Sequence, residues 1–286
     1  MGIMIDKYKK KDLTLYLVLR LLVILTMILQ FFQGNFENVF LCFLTLILLV
    51  IPIIINKRLV IKLPTTFENM IFIFIFSAQI LGEVQNFYGQ FPHWDIILHT
   101  INGFLCAALG FSLVDILNTS EKFSQKLKPI FVAIVAFAVS MTIGVLWEFF
   151  EYGADKILKT DMQKDTIIQE IYTVELHPEG KNKAVNIKDI EKTIIYTRNK
   201  DGKIEEIEIP NGYLDIGLND TTIDLAVNFI GAIVFSIFGY LYIKNRDKYK
   251  FMESFIPTLK TQEEIEIAKK EIEEYENKIK SEKKKK

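Results

Sequence analysis

The sequence predicts an all-α membrane protein: a six-transmembrane-helix bundle with a small extracytoplasmic β-hairpin insertion and a charged cytoplasmic C-terminal helix. Three observations predict it. Half of the 286 residues are hydrophobic and 23 are Phe, yet 24% are charged, so the polar residues must be gathered into loops, tails and a site. Six apolar runs reach the roughly 20 residues that a spanning helix needs. Lys and Arg fall in alternate connections between those runs.

The runs cover approximately 13–32, 37–55, 67–87, 94–117, 129–152 and 221–243. The first follows a basic start, is longer than a signal-peptide core and lacks a small-x-small cleavage pattern, so it reads as a retained anchor. Arg20 interrupts it. Snorkelling to the nearer interface accounts for that residue, with a buried ion pair to an acidic cluster as the alternative. Cys42 and Cys106 lie within apolar runs and read as small core residues rather than as disulfide partners or metal ligands.

Orientation follows from the short connections. Lys7, Lys9, Lys10 and Lys11, then Lys57, Arg58 and Lys62, then Lys122, Lys126 and Lys128, and finally the tail after Lys244 are basic, whereas the connections near Gly34 and Gln90 carry no Lys or Arg. Both termini are therefore expected in the cytoplasm of a bacterial cytoplasmic-membrane protein. The expected division is a transmembrane domain over 1–155 and 220–247, an extracytoplasmic insertion over 156–219 and a charged tail over 248–286.

In the insertion, Thr193 to Arg198 and Ile204 to Ile209 flank an Asp201-Gly202 turn, which predicts a hairpin. A calcium loop closed by Glu208 is the weaker reading, because Thr197 stands where the first Asp should be. In the tail, Ile265, Ala268, Ile272, Tyr275 and Ile279 keep a 3,4 spacing too short for a coiled coil. Lys283 to Lys286 read as a solvated end with weak affinity for anionic lipid.

On this topology the ionisable residues of the spans fall into one outer layer. Glu83 ends the third span, Asp95 and His99 open the fourth, Glu148 and Glu151 end the fifth with Asp155 beyond, and Asp220 and Asp224 open the sixth, followed by Asn228. Spacings of three and four put each set on one helical face. A carboxylate facing lipid is heavily penalised, so these faces are expected to meet around a shared cavity. Asp220 also suits an N-cap within Asn219-Asp220-Thr221-Thr222. Gly103, Ala107, Gly110, Ala136, Gly144 and Gly231 allow the close helix approach this requires.

Gly82-Glu83, Phe87-Tyr88, Trp94-Asp95 with Leu98-His99 and Gly103, Trp147-Glu148-Phe149-Phe150-Glu151-Tyr152, and Asp220-Thr221 with Asp224-Leu225, Asn228 and Gly231-Ala232 together resemble the YjdF-like family of uncharacterised bacterial membrane proteins. The resemblance covers roughly 13–243 and implies six spans with no assigned reaction. The insertion between Gln163 and Asp220 and the long charged tail depart from that pattern. A looser similarity is to VanZ-like proteins, in which an Asp-x-x-x-His pair and a later Asp-x-x-x-Asn-x-x-Gly run open two helices, as do Asp95/His99 and Asp224/Asn228/Gly231 here.

Three functions fit the polar layer. In a metal-dependent enzyme acting on a lipid or cell-envelope substrate, Asp95, His99, Glu148 and Asp224 would hold a divalent metal cation, with Glu151, Glu148 and His99 as the catalytic groups. In a proton- or ion-coupled transporter the clustered acids would exchange protons. The third reading is a non-catalytic envelope protein that binds a lipid or partner. Membrane lipids are expected partners and nucleic acid is not. No HExxH, Gly-rich phosphate loop, Ser-nucleophile motif or CxxC is present.

Overall fold

The computed structural model describes residues 10–119, 126–268 and 270. Six of its helices are long and apolar enough to cross a membrane: Thr14–Phe32, Phe36–Arg58, Thr65–Val84, Trp94–Asn118, Pro129–Leu158 and Leu218–Lys244. The chain packs as two units, Met1–Gly144 with Val227–Lys286, and Val145–Ala226.

In the first unit, α1 (Lys10–Phe32) turns at Gly34 into α2 (Phe36–Leu48), whose start is capped by the Asn35 side chain accepting the Asn38 N–H. The second span is broken. Pro52 has no N–H to offer the preceding turn, so α2 stops and α3 (Ile51–Arg58) begins anew. After the short strand β1 (Ile61–Lys62), α4 (Thr65–Phe76) opens the third span and Ser77–Val84 completes it as π-helix. The ring of Tyr88, in the short helix α5 (Phe87–Gln90), lies on Gly82, where an added Cβ would sit 2.4 Å from Cε2. Any larger residue there would have to displace that ring. The long helix α6 (Trp94–Thr119) follows.

The fifth span is α7 (Pro129–Leu158), six residues longer than the apolar run suggests, and it stops where Lys159 turns left-handed at φ 60. The sixth is α8 (Leu218–Lys244). Between them the second unit holds three antiparallel two-stranded ladders. They are β2 (Thr166–Ile168) with β7 (Tyr213–Asp215), β3 (Ile171–Thr173) with β4 (Val185–Ile187), and β5 (Lys192–Arg198) with β6 (Ile204–Pro210). The β5–β6 hairpin has the expected register, from Lys192 opposite Pro210 to Arg198 opposite Ile204. Its turn is tied by Asn199 Oδ1, which accepts from the Asp201 and Lys203 N–H groups. Glu208 faces Lys192 at 3.0 Å, which is an ordinary cross-strand ion pair rather than a calcium ligand.

The largest departure from the sequence reading is the segment after α8. Residues 250–260, expected to leave the membrane as a charged tail, fold back into the first unit. A 3-10 turn (Lys250–Ser254) and the strand β8 (Thr258–Leu259), paired antiparallel with β1, form a strap. Met252 and Ile256 are 1% and 2% exposed in the core that contains Phe67, Phe111 and Phe235, and the Phe255 ring lies 5.5 Å from Phe104 of α6. Taking each of those two apolar side chains out of water contributes about 1.5–3 kcal/mol. Lys260 Nζ donates to the Leu59 carbonyl at 2.9 Å, and Lys62 Nζ donates to Glu264 at 2.6 Å. Thr261 and Glu264 cap each other's backbone N–H groups, and residues 262–268 are helical. Ile272, Tyr275, Ile279 and Lys283 to Lys286 lie outside the described residues, as do Lys7, Lys9 and Lys122.

Candidate acidic site

The second unit contains a cluster of three buried carboxylates. Glu148 and Glu151, one turn apart on α7, are 4% and 7% exposed, and Asp224 on α8 is 2% exposed. One oxygen from each lies within 4.8 Å of the others. The Trp147 indole N–H donates to Glu151 Oε1 at 2.7 Å and so fixes that carboxylate from the preceding turn. The indole itself is 43% exposed and packs against Phe150 with ring centres 5.3 Å apart. With exposed Phe149 and Tyr152 it makes an aromatic collar of the kind found at membrane–water interfaces. The role of Trp147 was missed in the sequence, although its four-residue spacing to Glu151 was there to read.

A clamp in the same unit holds the two helix ends in register. Asp155 accepts from the Met162 and Gln163 N–H groups at 2.7 and 2.9 Å and from the Thr160 hydroxyl at 2.8 Å. Asp220 accepts from the Lys164 N–H at 2.8 Å, and Gln163 Nε2 donates to the Thr221 hydroxyl. The β2–β7 ladder continues the tie, pairing Thr166 with Asp215, Ile167 with Leu214 and Ile168 with Tyr213. Asp155 and Asp220, expected from sequence as members of the polar site, are thus spent on backbone amides of the loop. The N-cap role suggested for Asp220 falls to Asp215, which accepts from the Asn219 N–H at 2.8 Å because α8 starts earlier than expected.

In the first unit, His99 Nε2 and Asp95 Oδ1 are 3.4 Å apart along α6, and His99 is buried. Below them a polar seam joins α6, α7 and α8. Asn102 Nδ2 donates to Asn228 Oδ1 at 3.3 Å, Asn228 Nδ2 reaches Met141 Sδ at 3.6 Å, and Ser140 donates to the Gly103 carbonyl at 2.8 Å. Cys106 donates to Asn102 and is a buried core residue, as expected. Asn228 therefore serves helix packing. Glu83 is exposed at the end of the π-helical turn and belongs to no group of potential metal donors among the described residues. His93 is exposed as well. Arg20 donates to Tyr16, which supports the snorkelling reading over an ion pair with the acids.

A cluster of this kind can do two things. Three carboxylates at such distances repel one another when ionised, so they favour either a bound cation or a shared proton. An all-oxygen donor set suits a hard cation such as Mg²⁺, Mn²⁺ or Ca²⁺.

Comparison with known proteins gives a family without a reaction. A family model described as a predicted membrane protein (DUF2238) matches residues 14–245. An uncharacterized protein of Thermotoga maritima is 29% identical over 97 residues, which is 34% of this chain and 48% of that relative. No solved structure matches the chain. The looser likeness to VanZ-like proteins finds no support among these matches. With the match running from the first span to the end of the last, the chain belongs to the YjdF-like family of predicted membrane proteins, DUF2238.

Proposed function

We propose that Glu148, Glu151 and Asp224 bind a divalent cation and that the protein is a membrane-embedded, metal-dependent enzyme acting on an amphiphilic cell-envelope substrate. The observation that carries this reading is the approach of the three buried carboxylates to within 4.8 Å. When bound, a hard cation there would offset their repulsion and polarise a phosphoryl oxygen or a water molecule. All three carboxylates would hold it, and Glu151, whose Oε1 is kept in place by the Trp147 N–H, would also take a proton from the attacking water. The aromatic collar around Trp147 favours a substrate whose apolar part stays in the bilayer. The sequence spacing adds Asp95 and His99 as further donors. The basic connections favour both termini in the cytoplasm and the 156–219 insertion outside.

The decisive experiment is metal analysis of protein purified in mild detergent. About one ion per chain is expected in the wild type and a large loss in Glu148→Gln and Asp224→Asn, with insertion unchanged because hydrophobic length sets topology. Loss of the ion in His99→Ala or Asp95→Ala extends the donor set to that pair, and retention restricts it to the three carboxylates. A wild type that holds no stoichiometric ion but shows pH-linked transport in liposomes, abolished by Glu148→Gln, makes the cluster a proton relay instead. Absence of both leaves a non-catalytic polar network. Reporter fusions at Lys203 and Lys286 test orientation, and finding both on the same side overturns the topology.

A further inference from the structure

Arg20 places a permanent charge inside the first span. The 19 residues of Thr14–Phe32 rise about 28 Å, close to the thickness of the hydrocarbon layer, so with Thr14 at its edge the Arg20 backbone, six residues on, would lie about 9 Å inside it. Helical side chains lean towards the N-terminus, and this one does: Arg20 Nη1 donates to the Tyr16 hydroxyl at 2.5 Å, one turn back, with the guanidinium carbon 5.8 Å from the ring centre. Tyr16 is not free to swing with it. It is 7% exposed, and its ring packs 5.3 Å from Phe72 of α4, so the arginine is held at the α1–α4 seam.

The guanidinium has five N–H donors, and among the described residues Tyr16 is the acceptor it reaches. The Tyr16 hydroxyl, having accepted one hydrogen bond, still has its own proton to donate. A two-pronged cationic donor beside a hydroxyl donor, next to the exposed apolar side chains of Leu17 and Leu21, fits an anion with several oxygens attached to acyl chains. A zwitterionic headgroup fits less well, because its own ammonium competes for the phosphate and the pair brings no net negative charge to balance Arg20.

We propose that Arg20 and Tyr16 bind the phosphate of an anionic phospholipid in the leaflet at the N-terminal end of α1. The site is independent of the acidic cluster and of any reaction there. Mass spectrometry of the intact protein, released from mild detergent with phosphatidylglycerol or phosphatidylcholine added, tests it. Wild type should keep phosphatidylglycerol in preference to phosphatidylcholine, and Arg20→Leu should bind it about tenfold more weakly or worse. Arg20→Lys, which keeps the charge without the fork, and Tyr16→Phe should each lose part of the affinity, and they carry the test if the leucine variant does not fold. Millimolar inorganic phosphate should not displace the lipid. Equal binding of the two lipids, an unchanged affinity in Arg20→Leu, or displacement by free phosphate overturns the proposal.

Discussion

Replacing Gly103 with Ala should be among the most damaging one-methyl changes in the bundle. A Cβ built at Gly103 falls 2.1 Å from the Asn228 carbonyl oxygen, and one built at Gly231 falls 2.0 Å from that of Thr100, so α6 and α8 cross with each backbone seated on the other's glycine. Ordinary contact begins near 3.4 Å, so the helices must part by 3.4 − 2.1 = 1.3 Å, and backbone cannot step aside as a side-chain tip can. Parting them also breaks the 3.3 Å bond from Asn102 to Asn228, a side chain only 1% exposed. Overpacking costs about 1–3 kcal/mol, and stranding a buried amide costs a similar amount. The sum, about 2–6 kcal/mol, corresponds to a fall in melting temperature on the order of 10 °C. Two other glycines calibrate the assay. At Gly144 the added Cβ meets the Asn228 amide nitrogen at 2.7 Å, a movable group, so Gly144→Ala should cost less. At Gly153, within α7, nothing lies within 4 Å, and Gly153→Ala should stabilise by about 0.5–1 kcal/mol through helix propensity. Thermal melts of the three variants in one detergent decide the matter. A Gly103→Ala protein that melts with or above Gly153→Ala refutes the close crossing.

Two predictions concern the end of the bundle where the strap docks. Arg246 Nη2 contacts both oxygens of Asp115, at 2.8 and 3.2 Å, and the carboxylate side chain is only 12% exposed. Arg246→Ala should cost about 2 kcal/mol, below the figure for an enclosed pair because the arginine side chain is 45% exposed, and an unchanged melting temperature counts against the pair. Glu264 is held below its ordinary value of 4.5 by the hydrogen bond from Lys62, then by the Thr261 N–H. A carboxyl with a depressed folded value contributes above that ordinary value and loses its contribution as pH falls below it. Hydrogen exchange at residues 258–264, corrected for intrinsic rates, should therefore accelerate below about pH 4.5 in the wild type and stay flat in Glu264→Gln. Equal pH dependence in both proteins removes Glu264 from the account.

The spans were readable because a helix in lipid must be long and apolar, and hydropathy reports both properties directly. The break in the second span was not, because hydropathy over 37–55 does not register the N–H that Pro52 lacks. Nor was the strap, for a different reason. Phe251, Met252, Phe255, Ile256 and Leu259 are too few to span and follow neither a strict strand nor a strict helix period. Their partner strand, Ile61–Lys62, is two residues long and about two hundred positions away. Nothing local marks such a pairing, and the charges on either side made the segment look like the start of a solvated tail.

The acids were readable as stripes but not by role, and helix position explains why. Asp155 lies three residues from the end of α7 and Asp220 two residues into α8, within reach of the N–H groups of the connecting loop, and those amides capture both carboxylates. Glu148, Glu151 and Asp224 lie deeper, where the neighbouring backbone N–H groups are engaged along their own helix, and the N–H that Glu151 receives comes from the Trp147 side chain instead. Distance from the helix end therefore separates the carboxylates that tie the connecting loop from those proposed to hold the cation. The division predicts opposite outcomes for isosteric changes at a helix-end acid of α7 and a deeper acid of α8. Asp155→Asn should loosen the 159–165 loop, read as faster exchange of the Met162 and Gln163 amides, while the protein keeps its full metal content. Asp224→Asn should leave the loop as it is and lower metal content. Loss of metal in Asp155→Asn with its loop amides still protected would show that the helix-end argument assigns the acids wrongly.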